Sequence, residues 1–358
     1  MTDAPGVSIV IPNYNFGRFV GAAIESALAQ DHPKSDVIVV DDGSTDNSRE
    51  VIGGFGKAVR AVFQPNRGHI KACEAGWALA LYDIIIFLDS DDLLAPSAAS
   101  TVARAWRPGI SKIQWCVAVV DGDERSVGSI FPKYPTSLEP EVIRRALLRL
   151  GNYPCPPQSA NAYARWFLKA CSTGDSCTPW MGGVLNPVAP LYGDVITIHR
   201  PLTLYRVHGC NGWAYERVNA NALRTHIAVF KAWCAYVQRC CDRMGVAFDA
   251  EAALKLNFWY QQDRLVLAKM TERSSEHREQ VAPVLRAMLN AIRHGTDPAW
   301  QRKVIAVWAI LVAILPAAWS QKLIRMRCEP SQRPKWLRML AEQIGRRRRS
   351  RGLVHSTG

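Results

Sequence analysis

Three carboxylates crowd the end of one apolar run. Ile84 to Leu88 is followed at once by Asp89, Asp91 and Asp92 in the stretch IIIFLDSDDLLAP. Like charges this close raise one another's pKa values unless a cation sits among them. A D-x-D at a strand end offers one or two oxygens to Mg2+ or Mn2+ and leaves other coordination sites for substrate phosphates. The cation would remove the repulsion and present positive charge to a diphosphate. The same residues have a plainer use, because Asp91 and Asp92 could cap a helix beginning near Ala95. Alone, the D-x-D does not decide between the two.

Two further apolar runs end in polar clusters. Val7–Ile11 closes in Pro12-Asn13-Tyr14-Asn15, and Asp36–Val40 closes in Asp41-Asp42-Gly43-Ser44. Between and after them, helical spacing recurs: Val20, Ala23, Ile24, Ala27 and Leu28 within 19–30, then a helix near 72–81. Apolar strands alternating with helices predict an α/β fold, a mostly parallel, Rossmann-like sheet covered by helices on both faces. In such open sheets ligands bind beyond the carboxyl ends of the strands, so the three polar endings should face one crevice.

No phosphate-cradling glycine loop is present. After the first strand the chain reads PNYNFGRF, which disfavours a dinucleotide dehydrogenase and a P-loop kinase. Phosphate charge then falls to metal and to basic side chains. Arg67 and Lys71 are candidates, and a plain surface role for both stays open.

Taken in order, VSIVIPNYNFGRFVGAAIESALAQ, VIVVDDGSTDNS, QPNRG and FLDSDD resemble the family-2 inverting glycosyltransferases of the GT-A fold. The resemblance covers roughly residues 6–100 and returns at Pro156–Asn161 (PPQSAN) and in LTLYRVHG around His208. It implies transfer of a single sugar from a nucleotide-diphosphate-sugar donor to an acceptor hydroxyl, with Mn2+ or Mg2+ as cofactor. It implies that Pro12 and Tyr14 line the base pocket and that Asp42 hydrogen-bonds the base. Asp89 and Asp91 become the D-x-D, with Asp91 the direct metal ligand and Asp92 a neighbouring partner or alternative ligand. His208 either approaches the metal and diphosphate or makes a structural hydrogen bond. For the general base, the resemblance points to an acid in the middle section. Asp175 is the choice, with Asp194 the other nearby carboxylate. Where the family continues A-R-N-x-G, this chain has Ala72-Cys73-Glu74-Ala75-Gly76, which sets a negative charge near the presumed diphosphate. No Q-x-x-R-W segment of a processive synthase is present.

At 358 residues, with 48% hydrophobic and 21% charged content, the chain is expected to be globular. Residues 1–108 read as the donor half of the transferase domain, 109–218 as its acceptor half, and 219–358 as an added helical region. The ten cysteines form no C-x-x-C pair and the polar start leads directly into a strand, so reduced thiols and a cytoplasmic setting are expected. The net charge of +13 is partly concentrated in Gly345-Arg-Arg-Arg-Arg-Ser-Arg351. Before it lies the uncharged stretch 304–319, somewhat short of the ~20 residues that span a bilayer. It reads either as a buried core helix or as a segment touching the inner face of the cell membrane through anionic lipid. A sugar or lipid-linked acceptor, and a role in cell-envelope or polysaccharide synthesis, would follow from the latter. Two other readings compete. One is a weakened nucleotide-sugar-binding scaffold or sensor; the other is a nucleic-acid-binding protein using the tail, disfavoured by the lack of any aromatic platform there.

Overall fold

In the computed structural model, which describes residues 4–135, 138–171, 181–208, 218–271, 280–295 and 299–329, Val7–Asn13 forms strand β1, buried at every position. Helix α1 (Gly17–Leu28) turns Phe19, Val20, Ala23, Ile24 and Ala27 inward. The alternation continues through β2 (Ser35–Asp41), α2 (Ser48–Gly53), β3 (Arg60–Phe63), α3 (His69–Leu79) and β4 (Ile84–Phe87). A short β5 (Leu93–Leu94) precedes α4 (Ala98–Ala105), β6 (Ile110–Asp121), β7 (Ser126–Phe131) and α5 (Pro140–Leu150). Then come β8 (Asn161–Ala164), α6 (Arg165–Cys171), α7 (Met181–Tyr192) and β9 (Asp194–Val207).

The strands join one sheet in the order β3-β2-β1-β4-β8-β6-β9-β5, with β7 paired to β6. Pairing is parallel from β3 through β4. Strand β8 runs antiparallel between β4 and β6, while β6 and β9 are parallel to each other. Two reversals restore direction, so β1, β2, β4, β6 and β9 all finish at one edge. Apolar side chains of both faces are buried because helices cover both. Ile9, Ile24, Val39, Ile86 and Trp115 belong to one core, and Val10, Ile38, Phe87, Tyr163 and Phe167 to the other. Helix α3 approaches closely enough that a Cβ on Gly76 would lie 2.3 Å from Val10 Cγ1.

Three local expectations are corrected. The stretch 162–171 reads as a helix from its residues, yet the helix begins only at Arg165, because Asn161–Ala164 pairs on both sides within the sheet. Sheet pairing there overrides the helix propensity of its alanines. The run Val195–His199 reads as a strand ending before Pro201, yet the strand runs on to Val207, and the ladder shifts register where Pro201 meets Cys116, accommodating its missing N–H. Asp91 and Asp92 cap no helix: β5 follows them, and α4 starts at Ala98 with Ser97 at its N-cap.

The chain divides into two compact units, one of Met1–Asn211 with Ala232–Ala253 and the other of Gly212–Lys231 with Leu254–Gly358. Helix α8 (Ala220–Met244) gives Tyr236, Val237, Cys240 and Cys241 to the second core of the sheet, and α9 (Ala250–Leu256) follows. A break at Asn257, whose side chain accepts from Tyr260 N–H, separates α9 from α10 (Phe258–Met270). With α11 (Val281–His294), α12 (Ala299–Ile314) and α13 (Ala317–Cys328), the second unit closes on Leu265, Val284, Met288, Val312 and Ile324. Among the described residues no helix is long and apolar enough to cross a membrane, and the cysteines are unbonded.

Candidate functional site

Strand direction decides which residues can meet. The ends of β1, β2, β4, β6 and β9 bring Asn13–Asn15, Asp41–Ser44, Asp89–Asp92, Asp121 and His208 to a shared edge. Antiparallel β8 starts at that edge, so the turn before it, Gln158–Ala160, joins them.

Hydrogen bonds link these ends in a chain. Asn13 Nδ2 donates to Asp41 Oδ2 at 2.9 Å and to Ser44 Oγ at 3.2 Å. Asn15 accepts from Thr45 N–H at 2.7 Å. Asp42 is buried, and its carboxylate takes three donors: Gln64 Nε2 at 2.6 Å, Arg67 N–H at 2.9 Å and Gly68 N–H at 2.7 Å. That pins the loop 64–68 and hence the start of α3. Gly43, at φ +79, lies under this loop, where a side chain would meet Asn66 N at 2.6 Å. From α3, His69 Nε2 lies 2.9 Å from Gln158 Nε2, which donates to Asp89 Oδ1 at 2.8 Å. Asp89 N–H in turn donates to Ser159 Oγ at 3.0 Å.

Within the acidic cluster each carboxylate has a separate environment. Asp89 is pushed up to about 6, first by burial and then by the charge of Asp91, against the opposing pull of His69. Asp92 is 1% exposed; burial and the charges of Asp91 and Asp89 push it well above the usual carboxylate range. Its Oδ1 accepts Arg206 N–H at 3.0 Å, while its buried Oδ2 has no hydrogen-bond partner among the described residues. Asp91 Oδ2 lies 3.0 Å from His208 Nε2, with both side chains largely buried. The His208 ring stacks on Phe19 at 4.7 Å, and the Arg206 guanidinium covers the Phe19 ring at 4.8 Å. Arg206 also donates to Glu124 Oε1 at 2.8 Å. Thus α1 and the end of β9 jointly aim the imidazole at Asp91.

The remaining candidates have separate settings. Pro12 is buried within β1, whereas Tyr14 is 45% exposed just past it. Arg67 is exposed and Lys71 pairs with Glu74 at 2.6 Å, so the unexpected Glu74 charge already has a partner. Asp194 begins β9 and pairs with Arg107 at 3.2 Å, which puts it at the opposite edge of the sheet. Asp175 and the arginine run lie outside the described residues. Sequence reasoning gave no role to His69, Gln158 or Ser159; the motif PPQSAN contained the latter two and was the signal available.

Among the described residues no three His, Cys, Asp or Glu side chains converge tightly enough to hold a metal by themselves. A hard divalent cation does not require it, since Mg2+-type sites keep waters and substrate phosphates in most positions. The Asp91–His208 pair, with both side chains largely buried at the strand ends, is a donor pair that fits such an ion.

Residues 8–152 match the family model for glycosyl transferase family 2. An uncharacterized glycosyltransferase of Nostoc sp. is 31% identical over 213 residues, 57% of this chain and 66% of its own length. The glycosyltransferase GlyG of Streptococcus pneumoniae is 35% identical over 100 residues, 27% of this chain and 33% of its own. The chain therefore spans just under two thirds of the first relative and a third of the second. Among solved structures, S. aureus TarS 1-349 in complex with UDP-GlcNAc superposes with a TM-score of 0.54 at 14% identity, over 90% of this chain and 91% of that one. That likeness is one of fold, and the fold is GT-A. By motif and by sequence relatives, residues 8–152 are those of a glycosyl transferase family 2 protein.

Proposed function

We propose that this chain transfers a single sugar from a nucleotide-diphosphate-sugar donor to an acceptor hydroxyl, by an inverting displacement assisted by Mn2+ or Mg2+. The observation that carries the reading is the Asp91–His208 pair beside Asp89, at the edge where β1 and β2 also end. The same fold in S. aureus TarS holds UDP-GlcNAc, which supports a donor of that class. Tyr14 offers an exposed ring to the base. A carboxylate has about four lone-pair sites, so Asp42, with three donors bound, keeps one for a base N–H. Asp91 and His208 would hold the cation, whose charge would offset that of the departing diphosphate. Asp89 and Asp92 stand beside it.

Asp175 is the proposed general base and would have to come within about 2.6–3.2 Å of the acceptor hydroxyl. A sugar or lipid-linked acceptor in cell-envelope or polysaccharide synthesis completes the reading, with the chain peripheral on the inner face of the membrane. The test is a panel of nucleotide sugars assayed for Mn2+-dependent release of nucleoside diphosphate. Asp91→Ala should reduce release at least about a hundredfold. Wild-type protein inert toward every donor and blind to nucleoside diphosphates would end the proposal.

A further inference from the structure

Helix α12 is built into a core on one side only. Ala309 and Val312 are fully buried with Val284, Met288 and Ile324. Trp300, Val304, Val307, Ile310 and Ile314 are 39% to 68% exposed. Steps of four, three, three and four residues keep these five within one face of a helix. Trp319, early in α13, is 61% exposed as well, with Lys322 Nζ 5.1 Å from its ring centre. A contiguous apolar face of this kind marks a surface that something else covers.

Charge says what covers it. From Val281 to Cys328 the sequence has seven Lys or Arg and one carboxylate, Asp297. Lys303 and Lys322 are exposed next to the apolar residues, and Gly345-Arg-Arg-Arg-Arg-Ser-Arg351 follows in the chain. A second copy would set two cationic surfaces against each other. An anionic lipid surface would not, and it accepts both parts of the pattern. Apolar side chains enter the headgroup–acyl boundary, basic ones stay among the headgroups, and tryptophans suit the interface between.

We propose that the Trp300–Ile314 face of α12, with Trp319, docks this chain flat on an anionic bilayer surface. The helix lies in the interface and does not cross it. This inference gives the peripheral placement proposed above its surface, yet it rests on the helical unit alone. Binding to lipid is read without any sugar donor, so its failure and that of the transfer reading are separable.

The test is flotation of the full chain with phosphatidylcholine vesicles, with and without about 30% phosphatidylglycerol. The wild type should float with the anionic vesicles and much less with the neutral ones. Val304→Asp/Val307→Asp/Ile310→Asp should lower the partition at least about tenfold. A serine set at the same three positions, which adds no charge, should lower it by a smaller factor, and circular dichroism checks the fold of both. Brominated lipid should quench the wild type and quench Trp300→Phe/Trp319→Phe less. The proposal is overturned if the wild type ignores anionic vesicles or if both substituted sets float like it, leaving the arginine run sufficient. A wild-type dimer that the aspartate set dissociates, with no vesicle binding, would assign the face to a second copy instead.

Discussion

Replacing Asp42 with asparagine should loosen one loop and leave the sheet behind it intact. In the structure both carboxylate oxygens are engaged, one by Gln64 Nε2 at 2.6 Å and Arg67 N–H at 2.9 Å, the other by Gly68 N–H at 2.7 Å. An amide retains one accepting oxygen and presents an NH2 group where the other stood. If the oxygen faces Gln64 and Arg67, the NH2 meets the Gly68 N–H, donor against donor. The reverse orientation sacrifices two bonds, so the first is favoured. A hydrogen bond to a charged group contributes about 1.5–3 kcal/mol, and Arg67 and Gly68 are exposed enough for water to recover part of the loss. The net cost should be roughly 1–2 kcal/mol, or an about five- to thirtyfold faster opening of 64–68. Hydrogen exchange reads this directly. Amides of Arg67 and Gly68 should exchange that much faster in Asp42→Asn, while those of β1 keep their protection. Because the loop also sets His69 against Gln158, and Gln158 against Asp89, affinity for a Mn2+–nucleoside diphosphate should fall in parallel. Unchanged exchange at Arg67 and Gly68 would refute the reasoning, whatever happens to affinity.

Two further perturbations probe the frame behind the site. Gly76→Val should lower the melting temperature by several degrees, since its Cβ would overlap Val10 Cγ1 at 2.3 Å and crowd Val40 Cγ2 at 3.2 Å, an overpacking worth about 1–3 kcal/mol; an unshifted melt would mean that α3 can move away freely. Lys112 is fully buried, with Nζ 3.2 Å from Tyr153 Oη, and burial pushes it from 10.5 down to about 8. Between those pH values the unfolded chain holds a proton that the folded one has released, so this group makes stability rise with pH across the window. Melting curves from about pH 7 to 10 should therefore show the wild type gaining on Lys112→Met, and a constant gap would contradict the assignment.

Much of the sheet was legible in the sequence because its information is local. Uninterrupted apolar runs such as Ile84–Leu88 suit strands buried on both faces, and polar residues directly after them mark the ends at which a parallel sheet binds ligands. The acidic cluster was legible for the same reason. What the sequence hid depends on partners far along the chain. Ala162–Ala164 looks helical until the strands on either side of it are known. The bonds from Gln158 and Ser159 to Asp89 span about seventy residues and arise only because β8 enters the sheet backwards. The donors to Asp42 are largely backbone N–H groups, which no residue type announces. Asp194 looked available by its position in sequence, and the direction of β9 places it at the wrong edge. The apolar stretch 304–319 left core and surface equally open; the structure divides it, with Ala309 and Val312 inside and Val304, Val307 and Ile314 outside.

Calorimetric titration of nucleoside diphosphates into the chain, with and without Mn2+, bears most directly on the shared edge of the sheet as a metal-assisted donor site. At least one nucleoside diphosphate should bind about tenfold or more tightly when Mn2+ is present, and that gain should vanish in Asp91→Asn. Binding that is indifferent to Mn2+, or a gain that survives the loss of the Asp91 charge, would contradict it.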